Sequence, residues 1–166
     1  TYYDKALSLR ADIEQVHFNK GIALTQLKKH AKAAACYMQA LHTNPNYEKA
    51  YLHAGDAWEK ANKPKKAIHV YLTAIEKFPA NAHFNYRLGN VYKHLDKFEE
   101  AITHLRIATQ KDQKNNIYKL ELANTLHFID ASIEALKLYE ALLEQYPENY
   151  HILYNFGYTL KKMGYI

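Results

Sequence analysis

The sequence predicts an all-α protein built from antiparallel helix hairpins stacked in a row. Three observations carry this reading. Helix breakers are scarce, the few present recur at one interval, and each interval holds two amphipathic segments. The 166 residues include five glycines and four prolines, and a chain so poor in punctuation is mostly helical.

The interval is 34 residues. Gly21, Gly55 and Gly89 are 34 apart, Gly157 follows at twice that step, and Ala123 fills the gap. Ala33, Ala67, Ala101 and Ala135 keep the same spacing, as do Ala40, Ala74 and Ala108. Pro45, Pro79 and Pro147 fall in register, and so do Tyr37, Tyr71 and Tyr139, with Leu105 in the skipped tyrosine slot. Within one interval, apolar residues recur at helical spacing: Phe84, Leu88, Val91, Tyr92, Leu95, then Phe98, Ala101, Ile102, Leu105, Ala108. Asn62, Asp96 and Asp130 mark the turns between paired helices, and Pro64 suits the start of a second helix, where its missing N–H costs nothing. A mid-helix glycine costs about 0.5–1 kcal/mol relative to alanine. Its recurrence therefore predicts a close approach of the partner helix, with Ala33, Ala67, Ala101 and Ala135 opposite. The prolines are expected to end each second helix.

This pattern of small, small, aromatic, small and proline at fixed offsets resembles the tetratricopeptide repeat family. The resemblance frames four repeats, 14–47, 48–81, 82–115 and 116–149. Residues 150–166 match the first helix of a fifth, and 1–13 the end of an earlier one, with Tyr3 and Ala6 in its aromatic and small slots. It implies a right-handed α-solenoid, a superhelix whose concave wall is lined by first helices. Two departures stand out: Gln113 takes a proline slot, and Leu142, in a small-residue slot, is expected to widen the packing beyond the fourth repeat. Both ends look open, which predicts a fragment of a longer array and end-to-end self-association through the exposed terminal faces.

Composition narrows the function. No apolar run reaches the ~18–20 residues of a membrane helix, so no membrane partner is expected. Net charge is +5, short of a clustered basic stripe, and no nucleic acid is expected as a partner. Readout of RNA by a helical-repeat code is disfavoured by the strict 34-residue spacing. Cys36 is the single cysteine, which rules out an intrachain disulfide, and its place beside Tyr37 predicts a buried, inert thiol. The ten histidines include no HxxxH pair, and neither phosphate-binding glycine loops nor a nucleophile elbow is present. The chain is thus read as non-enzymatic, without metal or cofactor. Lys63-Pro64-Lys65-Lys66 reads as a solvated turn.

The family resemblance places repeat positions 2, 5, 6, 9, 12 and 13 on the concave wall. Here it assigns partner contact to Asn19, His53, Tyr86, Arg87, Asn90, Lys93, His94, Asn124, His127, Tyr154, Asn155 and Tyr158. Aromatic and arginine side chains anchor interfaces, and amides suit the backbone of an extended segment. A carboxylate clamp of the chaperone-binding kind is not formed, because its positions read Phe18, Ile22, His53, His83 and Arg87, and only the last fits. An asparagine ladder at position 6 is broken between Asn19 and Asn155 by His53, Arg87 and Glu121. Arg87 and Glu121 are expected to pair. The function expected is a scaffold for protein–protein interaction that holds an extended, neutral or acidic peptide segment in its groove. The alternative is a substrate-docking or regulatory array of a larger enzyme such as a transferase.

Overall fold

The computed structural model describes the backbone of residues 2–129 and 131–165, and side chains from Ile13 onward except at Asp130 and Ile166. The Tyr3 and Ala6 slots and the Asp130 turn lie outside the described residues. The described chain is helical throughout, with no strand: α1 (Tyr2–Gln26), α2 (His30–Thr43), α3 (Glu48–Lys60), α4 (Pro64–Lys77), α5 (Ala82–Lys93), α6 (Phe98–Lys111), α7 (Asn116–Leu126), α8 (Ser132–Leu143) and α9 (Tyr150–Lys162), with a 3-10 turn at His127–Ile129 after α7. They form two compact units, Thr1–Pro79 and Ala80–Ile166. In the first unit α1 packs on α2, α2 on α3 and α3 on α4. In the second, each of α5 to α9 packs on the next. Helix α1 runs unbroken past residue 14.

The 34-residue interval has a backbone cause. Each first helix closes with the same bond, from the N–H of Lys29, Lys63, Lys97, Ala131 and Tyr165 to the carbonyl five residues back, at 2.9–3.2 Å. This closure is a Schellman motif, and it drives one residue into the left-handed region. Lys28, Asn62 and Asp96 sit there at φ 55–56°, and Gly164 at φ 81°. Only Gly164 suits the conformation without a steric cost. The next first helix is capped by asparagine in the second unit. Asn81 Oδ1 accepts from the His83 N–H, Asn115 Oδ1 from Ile117 and Asn149 Oδ1 from His151. Tyr47 holds that slot before α3 and offers no side-chain cap.

Proline is not what ends the second helices. α6 stops at Lys111 in step with α2 at Thr43 and α4 at Lys77, although Gln113 replaces proline. In all three the capping N–H, of Asn44, Phe78 and Asp112, bonds to Ala40, Ala74 and Ala108 at 2.8–3.0 Å while the chain turns out of the helix.

The glycine slot also has a different cause from the one expected. A Cβ at Gly55 would stand 2.3 Å from the Tyr71 ring, and one at Gly21 would stand 2.5 Å from Tyr37. The space is filled by the aromatic ring sixteen residues on, not by an opposing alanine. Gly89 repeats this against Leu105 Cγ at 2.8 Å, and there the Ala101 carbonyl oxygen also comes within 3.1 Å. Nothing lies within 4 Å of a Cβ at Gly157. Each of the three tyrosines in this repeat slot finds a hydroxyl partner: Thr25 Oγ1 for Tyr37 at 3.1 Å, Glu59 Oε1 for Tyr71 at 2.7 Å and Asn124 Oδ1 for Tyr139 at 2.8 Å. Leu142 is buried beside Ile152 and Tyr139 and fills the junction with α9. Cys36 is half-buried rather than buried, because its side of α2 is only partly covered.

Candidate functional site

In the first unit the two assigned residues behave differently. Asn19 is exposed on α1 and accepts from Gln15 Nε2 at 2.9 Å. The His53 ring packs edge-on to Phe18 at 5.1 Å and against Tyr37 at 5.3 Å. The partial burial that this packing gives, offset by Asp56, lowers its pKa below the usual histidine value. His53 therefore packs on both rings while part of its side chain stays exposed.

In the second unit the assigned residues fall into three groups. Tyr86 stacks on Tyr118 at 4.8 Å, and the same Tyr118 hydroxyl lies 3.2 Å from His83 Nδ1. Arg87 is half-buried beside this stack. Burial first, and the Arg87 charge second, lower the His83 pKa. Glu121, expected beside Arg87, is paired with Lys93. Lys93 is thus engaged across α5 and α7, and His94 is exposed at the helix end.

The second group is a polar chain. Asn124 Oδ1 accepts from the Tyr139 hydroxyl at 2.8 Å and from Asn155 Nδ2 at 2.9 Å. Two donors on one oxygen fix the amide orientation. They leave Asn124 Nδ2 and Asn155 Oδ1 without a partner among the described residues. Asn90 is the same slot one interval earlier, and its buried Oδ1 has no partner among the described residues. The reason lies in the sequence: one interval before Tyr139 and Asn155 stand Leu105, which donates nothing, and Glu121, an acceptor held by Lys93.

The third group surrounds that chain. Asn124, His127, Tyr154, Asn155 and Tyr158 line a pocket of about 380 Å³ together with Phe128 and Tyr139. Its rings are ordered. Tyr154 and Tyr158 stack at 6.4 Å, His127 lies 5.1 Å from Tyr158, and Phe128 stacks face to face on Phe98 at 4.8 Å. Thr159 Oγ1 lies 3.3 Å from His127 Nδ1, and Lys162 Nζ donates to the His127 carbonyl at 3.3 Å. Burial, reinforced by the Glu121 charge, pushes the Tyr139 pKa up to about 12, so its hydroxyl remains a donor at any ordinary pH. Tyr154 is 59% exposed, Tyr158 54% and Phe128 58%. Five assigned residues thus meet at one place, which is rich in aromatic surface and holds one free amide donor and one free acceptor. Sequence reasoning missed Phe128 and Tyr139. Phe128 stands one interval after His94 and was legible as the same slot, whereas Tyr139 reads only as core.

Comparison with known proteins follows the same lines. Profiles described as tetratricopeptide repeat match residues 14–47 and 52–116. No curated protein matches the chain in sequence. Among solved structures, YrrB, described as a TPR protein with an unusual peptide-binding site, superposes with a TM-score of 0.78 at 22% identity, over 99% of this chain and 85% of that one. A MamA structure gives a TM-score of 0.83 at 17% identity, over 93% of this chain and 85% of its own. A tetratricopeptide repeat protein from Parabacteroides merdae gives 0.77 at 16% identity, over 92% of this chain and 59% of its own. At these identities the likeness is one of fold.

Proposed function

The chain belongs to the tetratricopeptide repeat family, and on that premise we propose that it is a non-catalytic interaction scaffold whose second unit holds an extended peptide. The observation that carries this is the pocket walled by Asn124, His127, Phe128, Tyr154, Asn155 and Tyr158. An extended backbone presents alternating N–H and C=O groups, and the free Asn155 Oδ1 and Asn124 Nδ2 match one of each. The tyrosine rings and Phe128 offer a stacking surface for one apolar or aromatic side chain of the peptide, the usual form of an interface anchor. The fold shared with YrrB, itself described as having a peptide-binding site, supports the same reading.

The test begins with a random peptide library selected on the chain. An enriched peptide is expected to lose about tenfold in affinity, about 1.4 kcal/mol, on Asn155→Ala and on Tyr158→Ala alike. Both positions have side chains open to solvent or half-buried, so circular dichroism should show an unchanged fold. A selected peptide indifferent to both substitutions, or no enrichment at all, defeats the proposal.

A further inference from the structure

The first unit carries an edge whose charge its fold does not require. The turns joining α1 to α2 and α3 to α4 carry seven exposed lysines, Lys28, Lys29 and Lys32 at the first and Lys60, Lys63, Lys65 and Lys66 at the second. The two turns meet at a shallow, open cleft lined by Lys28, Lys29, His30, Lys32 and Lys60. No Asp or Glu occurs from Lys60 to Ile75, nor from Leu27 to Tyr47. Lys60 has Asp56 at 2.7 Å, and Lys66 lies over the Trp58 ring at 4.3 Å. Lys28, Lys29, Lys32, Lys63 and Lys65 have no acidic partner among the described residues. His30 Nδ1 is buried in the cleft wall without a hydrogen-bond partner.

Helix electrostatics make this arrangement unfavourable in itself. A helix N-terminus carries partial positive charge and prefers acidic side chains. α2 and α4 begin with no acid in the first turn and no side-chain cap. The second unit follows the preference at the same slots, with Glu99 and Glu100 opening α6 and Glu134 opening α8. The repeat therefore accepts acids at these positions, and the first unit has lysines there instead. Backbone N–H groups at the starts of α2 and α4 add donors to the same edge.

We propose that this turn edge of the first unit is a docking surface for an acidic polypeptide segment, whose carboxylates span the Lys28–Lys32 and Lys60–Lys66 turns. An anionic bilayer is the other acidic partner to weigh. The lysines are presented by a tetratricopeptide repeat array, a scaffold built for polypeptide partners, and that favours the peptide. Assignment of Lys63-Pro64-Lys65-Lys66 to a merely solvated turn is thereby revised. The surface is separate from the pocket of the second unit, and its fate does not depend on that site.

The probe is a fluorescein-labelled ten-residue glutamate peptide, with a glutamine decamer as control, read by anisotropy against the whole chain. The glutamate peptide should bind at least tenfold tighter, with affinity falling steeply as salt rises. The triple variant Lys29→Gln, Lys32→Gln, Lys63→Gln should lose about tenfold or more. The variant Lys77→Gln, Lys114→Gln, Lys137→Gln removes the same charge elsewhere and should stay within about twofold of wild type. Equal losses in the two variants would mean that net charge alone attracts the peptide, and would overturn the proposal. So would equal binding of the glutamate and glutamine peptides. Sedimentation with phosphatidylserine vesicles forms the last arm. Vesicle binding abolished by the first triple variant, with no glutamate-peptide binding, would reassign the surface to lipid. All six substituted lysines are exposed, so the variants should fold, with circular dichroism as the check.

Discussion

The two units are built on one interval, yet they fill its slots with different chemistry. The first unit has an alanine-rich core closed by rings, with Ala33, Ala34, Ala54 and Ala67 fully buried around Tyr37 and Tyr71. The second relies on branched side chains, with Leu105, Leu122, Leu126 and Leu142 in its core. Caps differ as well: asparagine before α5, α7 and α9, but Tyr47 before α3, where the ring lies 4.8 Å from Phe18 instead of capping. At the turn edges the first unit carries lysines in the slots where the second unit carries glutamates. The repeat backbone evidently tolerates all of these fillings. What it fixes is the Schellman turn and the small residue beneath the ring; what it leaves open is the charge and polarity that a partner would read.

The largest expected effect tests the ring slot. Gly55→Ala puts a methyl group 2.3 Å from the fully buried Tyr71 ring, and overpacking of this kind costs about 1–3 kcal/mol. The urea midpoint of Gly55→Ala should fall accordingly; an unchanged or raised midpoint would break the account of the slot.

The capping contrast comes next. Asn115→Ala should lower stability by about 1 kcal/mol, the usual worth of an N-cap. Tyr47→Asn supplies a cap to α3 but removes the ring from Phe18 and the 3.3 Å bond to Gln15 Oε1. An aromatic pair is worth about 0.5–1.5 kcal/mol beyond its buried area, so the exchange should be net destabilising. A thermally stabilised Tyr47→Asn would show that the first unit gained nothing from forgoing the cap.

The smallest effect concerns pH. Burial lowers the pKa of His83 and His104 in the second unit and of His53 in the first. The fold favours the neutral rings, so their stabilisation is complete above the unfolded value near 6.5. It is lost as the pH falls from there through the lowered folded values. The second unit holds two of the three rings, bonded to Tyr118 and Asn85. Hydrogen exchange should therefore show it loosening more than the first between pH 7 and 5, and His83→Gln with His104→Gln should flatten the difference. Identical acid sensitivity in the double variant would remove histidine burial as the cause.

Much of this was legible in the residues. Gly21, Gly55 and Gly89 marked the helix pairs because a backbone that repeats needs its smallest residue at the same crossing each time. Asn62 and Asp96 marked turns because both tolerate the left-handed conformation that the helix end imposes. The asparagine caps at Asn81, Asn115 and Asn149 follow the same register and could have been read from it. The partners of the glycines were less legible, since a tyrosine sixteen residues on and an alanine twelve residues on are both plausible neighbours until the helices are placed.

The candidate site divides along the same line. The count from one glycine to the next put Asn90 and Asn124 in one repeat slot and Asn155 in another, and the family resemblance is what assigned those slots to a groove. Only the tertiary structure decided that Asn124 is held by Tyr139 and Asn155, that Asn90 has an unpartnered oxygen, and that His53 is spent on packing. Those outcomes depend on side chains 15–31 residues apart that meet across helices, as Asn124 meets Tyr139 and Asn155. A period repeats the backbone; it does not say whether the donor at the facing slot is present, as it is at Tyr139, or absent, as at Leu105.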